Sequence, residues 1–165
     1  MESKILKKGS DSTQKFEQFA CNSSGNINRK NKTSRKSDRR DSTPSFQAQL
    51  LKLFPIWQNI TDDYELLEVL GAGTFGQVAK AKSLRTGEIV AIKLLTDMCK
   101  DSYQAKKLVS EIHILRKLSA VPNNVFTTRL HDLVLPGKES PWDSDQPLEF
   151  VFLVLDYMPF DLNGL

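Results

Sequence analysis

Gly71 to Val78 reads GAGTFGQV, three glycines in eight residues. Glycine loses more conformational freedom on folding than any other residue, so a cluster like this needs a reason. The usual reason is that something approaches the backbone where a side chain would stand in the way. The flanks narrow the choice. Tyr64 to Leu70, YELLEVL, reads as a strand running into the glycines, and Val78 to Lys82 as a strand leaving them. Arg85-Thr86-Gly87-Glu88 supplies a turn, and Ile89 to Leu95 a third strand. Connections of hairpin length make antiparallel pairing the natural arrangement.

Several glycine-rich turns bind phosphate, and the residues after the glycines tell them apart. A P-loop needs Lys then Ser or Thr directly after its last glycine, and a helix beyond. Here Gly76 is followed by Gln77-Val78, which removes that reading. Gly71, Gly73 and Gly76 also fit the GxGxxG of a dinucleotide-binding turn. That turn must open a helix whose N-terminus holds the pyrophosphate, whereas a strand comes next here. A plain hairpin loop needs fewer glycines than these. The motif alone does not decide.

The next strand adds a charge. Val90-Ala91-Ile92-Lys93 places a lysine in an otherwise apolar run, and alternation puts Ile89, Ala91, Lys93 and Leu95 on one face. Such a lysine either snorkels at an edge or pairs with an anion. Residues 101 to 119, DSYQAKKLVSEIHILRKLS, read as a helix capped by Asp101 or Ser102. Its apolar stripe is Leu108, Ile112, Leu115 and Leu118, and Glu111 falls on that stripe. A carboxylate there is costly unless paired. The simplest solution is a Lys93–Glu111 ion pair beneath the glycine loop, with Lys93 also able to face a phosphate.

Taken together these residues resemble the protein kinase family. GAGTFGQV matches the GxGxxGxV loop and VAIK the third-strand motif, with Glu111 as the glutamate of the next helix. The resemblance covers about Asp63 to Leu165 and is to the small, ATP-binding lobe. It implies an α+β fold: a five-stranded antiparallel sheet with one main helix, residues about 101–119, preceded by a disordered N-terminal tail. It further implies that Gly71, Gly73 and Gly76, with Ala72 and Thr74 between them, let the backbone close over the phosphates of ATP, while Phe75 caps the tip. Val78 and Ala91 would sandwich the adenine, and Lys93 would hold the α and β phosphates, positioned by Glu111.

Residues 150 to 165, FVFLVLDYMPFDLNGL, resemble the fifth strand and the hinge to the large lobe. Leu155 falls at the gatekeeper position, Asp156 and Met158 would offer backbone hydrogen bonds to adenine, and Asp161 would meet the ribose. QAKKLVSEIHILRKLS and LDYMPFDL are similar to mitogen-activated protein kinases of the CMGC group, and DLNGL to some cyclin-dependent kinases. A complete kinase also carries HRDxxxxN and DFG motifs, for substrate orientation and magnesium. Neither occurs before Leu165, so the chain is expected to bind ATP, to lack the magnesium ligands and to be inactive alone. Two readings stand: the front of a serine/threonine kinase acting on protein hydroxyls, or a short non-catalytic module that binds nucleotide or a kinase's partners. His131-Asp132-Leu133 lies before the hinge, in what should be the fourth strand, so it is not a catalytic loop.

The remainder of the chain carries less chemistry. Residues 1 to 45 are polar and rich in Ser, Asn, Lys and Arg, and are expected to be a disordered tail. Its densest part, NRKNKTSRKSDRR at residues 28–40, has seven Lys or Arg and one acid. It reads as a nuclear-localisation or anion-binding patch, or as a solvated tail. Ser42 and Thr43, the latter before Pro44, are candidate phosphosites. Residues 46–62 read as a short connecting segment, with Leu50, Leu53, Phe54 and Trp57 at helical spacing and Pro55 ending any helix at Phe54. It packs on the domain or serves as a docking peptide. Pro136 to Pro147 reads as a long surface loop. The 165 residues allow one domain and a tail, and a net charge of +3 is too mild to imply nucleic acid. Cys21 and Cys99 form no CxxC pair and no metal spacing, as expected of reduced thiols. The longest apolar run, Phe150 to Leu155, is far short of the roughly 20 residues that span a bilayer. A location inside the cell, in cytoplasm or nucleus, is expected.

Overall fold

The alternation read between residues 64 and 96 folds into a sheet. A computed structural model describes residues 14–16, 18–19, 45–73, 76–96, 101–136 and 148–159. The elements in chain order are helix α1 (Phe46–Leu53), a 3₁₀ helix (Pro55–Ile60), β1 (Tyr64–Gly73), β2 (Gly76–Ser83), β3 (Ile89–Thr96), helix α2 (Ser102–Ser119), β4 (Leu130–Val134) and β5 (Phe150–Asp156). The five strands form one antiparallel sheet in the order β1-β2-β3-β5-β4. The β2–β3 turn closes through Ser83 N–H to Glu88 C=O at 2.9 Å and Gly87 N–H to Ser83 C=O at 2.8 Å. Gly87 has a φ of +76°, which explains a glycine there.

Register decides which side chains share a face. Val78 lies opposite Lys93, and Lys93 opposite Leu153; Ala91 lies opposite Leu155. These residues form one face of the sheet. Val90, Ile92, Leu94, Phe152 and Val154 alternate onto the other and are almost wholly buried. The first face packs on α2, where Leu95, Leu108, Val151 and Leu153 form a small core. Asp101 caps α2 by accepting from Tyr103 N–H at 3.1 Å.

The other face is covered by sequence preceding the sheet. Leu50 of α1 and Trp57 and Ile60 of the 3₁₀ helix are buried against it. Ser45 caps α1 by accepting from Ala48 N–H, and Phe54 is its C-cap, immediately before Pro55. Leu53 departs from the expected buried stripe: it is 58% exposed, because α1 turns Leu50 rather than Leu53 toward the sheet.

A few residues of the tail join this face. Residues 14–16 and 18–19, inside the stretch expected to be disordered, are helical. Phe16 is fully buried, with its ring centroid 5.0 Å from Phe54 and 6.0 Å from Trp57. Phe19 packs on Phe46 at 5.6 Å. Two phenylalanines thus give an otherwise polar segment enough apolar area to dock, since a buried aromatic contributes about 1.5–3 kcal/mol relative to an exposed one. The basic run at 28–40, Ser42, Thr43, both cysteines and loop residues 137–147 lie outside the described residues.

Candidate functional site

The glycine motif is the β1–β2 hairpin. Gly71 pairs with Val78, Ala72 with Gln77 and Gly73 with Gly76, while Thr74 and Phe75 lie outside the described residues. Register shifts between Leu66 and Glu68 and between Val69 and Gly71 add twist just before the motif. The three glycines have different reasons. Gly76 has a φ of +118°, and a Cβ there would sit 2.1 Å from the carbonyl oxygen of Leu94. The close approach at this position is therefore to the protein's own β3 backbone. A Cβ on Gly71 or Gly73 would meet nothing within 4 Å, which leaves that stretch of backbone open to a ligand.

Lys93 and Glu111 come together as expected. Lys93 Nζ donates to Glu111 Oε1 at 3.0 Å, with the side chains 23% and 42% exposed. Glu111 is less buried than its place on the apolar stripe suggested. A pair this open to water contributes at most about 1 kcal/mol to stability. Its effect is geometric: it fixes the ammonium over the sheet face that also carries Val78, Ala91 and Leu155. An ammonium has three N–H donors, so donors remain for an anion once Glu111 has taken one.

The hinge side carries contacts that the sequence did not announce. Asp156 Oδ2 accepts from Arg129 N–H at 2.8 Å, and Asp156 Oδ1 is 2.6 Å from His131 Nε2. Burial pushes the Asp156 carboxyl up, but the Arg129 amide and His131 outweigh it and hold it below the usual carboxylate range. His131 sits where the β4–β5 register shifts, between Leu130 and Asp132, and that irregularity lets it reach Asp156. Lys80 Nζ lies 4.4 Å from the centre of the Tyr157 ring, tying β2 to the hinge. Met158 is 62% exposed, and Asp161 lies outside the described residues. On the opposite side of the sheet Tyr64 O–H donates to Asp132 Oδ2 at 3.3 Å. Burial first, and then the Asp132 charge and hydrogen bond, push that phenol up to about 12.

The donor set suits ATP. Gly71 and Gly73 offer open backbone, Lys93 a held cation, and Val78, Ala91 and Leu155 an apolar surface on one sheet face. Among the described residues no three His, Cys, Asp or Glu side chains gather as metal ligands.

An antiparallel five-stranded sheet whose third strand presents a lysine to a glutamate on the next helix, beside a glycine hairpin, is the small lobe of a protein kinase. The protein kinase domain model matches residues 64–161, and the chain belongs to that family. Its relatives are kinases of the CMGC group. Cyclin-dependent kinase C-1 of Arabidopsis thaliana is 36% identical over 118 residues, which cover 67% of this chain and 22% of the relative. Mitogen-activated protein kinase 15 of Rattus norvegicus is 36% identical over 108 residues, 66% of this chain and 18% of the relative. Homeodomain-interacting protein kinase 4 of Mus musculus is 48% identical over 59 residues, 36% of this chain and 9% of the relative. The chain thus spans about a fifth, or less, of the length of these relatives.

Proposed function

We propose that this chain is the ATP-binding lobe of a serine/threonine protein kinase, which transfers the γ-phosphate of ATP to hydroxyls of protein substrates. The observation that carries the reading is the 3.0 Å Lys93–Glu111 pair beside the glycine hairpin, in a chain matched by the protein kinase domain. In this reading the backbone of Gly71 to Gly76 covers the phosphates, and Lys93, held by Glu111, meets the α and β phosphates. Val78 and Ala91 line the adenine, the backbone of Asp156 and Met158 bonds its edge, and Asp161 approaches the ribose. Magnesium, when bound, would neutralise phosphate charge. Phosphoryl transfer is mainly positioning and electrostatics. Residues 1–165 supply the nucleotide-binding part of that machinery in this reading.

The equal 36% identities to a cyclin-dependent and a mitogen-activated kinase support the CMGC group as a whole. The mitogen-activated kinase likeness rests on QAKKLVSEIHILRKLS and LDYMPFDL. We place it inside the cell, in cytoplasm or nucleus, as part of this reading. Calorimetric titration of the chain with ATP tests the reading. Wild-type chain is expected to take up one ATP and Lys93→Met to bind at least about tenfold more weakly, the loss of one charge-assisted contact. Equal affinities would overturn it.

A further inference from the structure

The segment preceding the sheet reaches the glycine hairpin from behind. Trp57 is fully buried, and its indole N–H donates to Gln77 Oε1 at 3.1 Å. Gln77 stands between Gly76 and Val78, opposite Ala72 on β1 and Leu94 on β3. By alternation its side chain leaves the sheet on the face away from Val78 and Lys93. The indole is itself held, stacked on Phe16 at 6.0 Å and tilted against Phe152 at 5.2 Å. A buried indole N–H is costly without an acceptor, so this packing demands a partner. The partner it takes is a side chain of the glycine motif. A second bond acts upstream on the same hairpin: Leu66 N–H on β1 donates to Gln47 Oε1 on α1 at 3.0 Å.

We propose that Trp57 is a positioning residue for nucleotide binding. Through Gln77 it holds the β2 end of the glycine hairpin, so that Gly71 to Gly73 and Gly76 to Val78 stand preset before ATP arrives. The indole touches no nucleotide and acts only through the residue between Gly76 and Val78. The consequence for ATP rests on the function proposed above; the hold on the hairpin does not.

Amide hydrogen exchange on the full chain without nucleotide, followed by ATP titration, separates the two. Gln77→Leu removes the acceptor, Trp57→Phe the donor, and Gln77→Glu keeps an acceptor. Gln77→Leu and Trp57→Phe are expected to speed exchange in residues 71–78 by about three- to tenfold relative to residues 89–96, the worth of one hydrogen bond. Gln77→Glu should exchange as wild type. The double variant Trp57→Phe/Gln77→Leu should be no faster than the worse single variant. ATP affinity should fall by the same factor in Gln77→Leu. Unchanged exchange in 71–78, or an equal rise in 89–96, would overturn the hold and leave Trp57 a packing residue only. Faster exchange with undiminished ATP affinity would overturn the positioning role. A wild-type chain that takes up no ATP would remove the ATP reading and the positioning role together, while exchange still decides whether the hairpin is held.

Discussion

Replacing Gly76 with alanine should damage the lobe far more than replacing Gly73, although both glycines belong to one motif. At Gly76 the new Cβ would lie 2.1 Å from Leu94 O, 3.1 Å from Leu94 C and 3.3 Å from Leu95 Cδ2. Two of those three atoms are β3 backbone, so relief requires β2 and β3 to part by about 1 Å in a close-packed sheet. The φ of +118° adds strain of about 1–3 kcal/mol for any residue with a side chain. A weakened β2–β3 hydrogen bond adds about 1 kcal/mol more. The expected loss for Gly76→Ala is about 2–4 kcal/mol, which lowers the melting temperature of a lobe this size by about 10–25 °C. At Gly73 a Cβ meets nothing within 4 Å and φ is not positive, so Gly73→Ala should be neutral or slightly stabilising, by up to about 1 kcal/mol. Thermal melts by circular dichroism read both. A Gly76→Ala melting temperature within about 2 °C of wild type would refute the close approach to Leu94. So would a Gly73→Ala chain as unstable as Gly76→Ala.

Other outcomes rest on the same geometry. Phe16→Ala should cost about 3–5 kcal/mol, the loss from emptying a fully buried aromatic site, as read by urea unfolding; a cost below about 1 kcal/mol would detach residues 14–19 from the core. The Asp156 carboxyl is held below its usual range, so it stabilises the fold above the unfolded aspartate value of about 3.9. That contribution fades as pH falls through the lower folded value, and Asp156→Asn should flatten the acid limb of the melting temperature below about pH 4. Tyr64 is raised to about 12, so its contribution is complete below about pH 10 and is lost as pH climbs toward 12. An ultraviolet titration should show one tyrosine ionising late, and Tyr64→Phe should remove that step.

Most of the sheet was legible because its signals are local. Period-two alternation, the Thr86-Gly87 turn and the valine after the glycines placed β1, β2 and β3 within a few residues. The Lys93–Glu111 pair was legible for a different reason: each was a charge on an apolar face, and each face offered one partner. What stayed hidden depends on distant pairing. The Trp57–Gln77 bond joins residues 20 apart through the far face of the sheet, and no local pattern marks a glutamine as the acceptor of an indole. His131 reaches Asp156 across 25 residues through a register shift in β4, which no period reveals. Phe16 and Phe19 sit three apart in a polar stretch, a weak helical hint that composition overrode. The glycines were read as one device, whereas Gly76 answers to Leu94 and the other two to open space.

The most direct test of the site is an amide nuclear magnetic resonance titration of the full chain with ATP. The largest shifts are expected at Gly71, Gly73, Gly76, Val78, Ala91 and Met158, and in Lys93→Met they should need at least about tenfold more ATP to develop. Shifts confined to α1 and the 3₁₀ helix, or none at the glycine hairpin at saturating ATP, would contradict an ATP site on this face of the sheet.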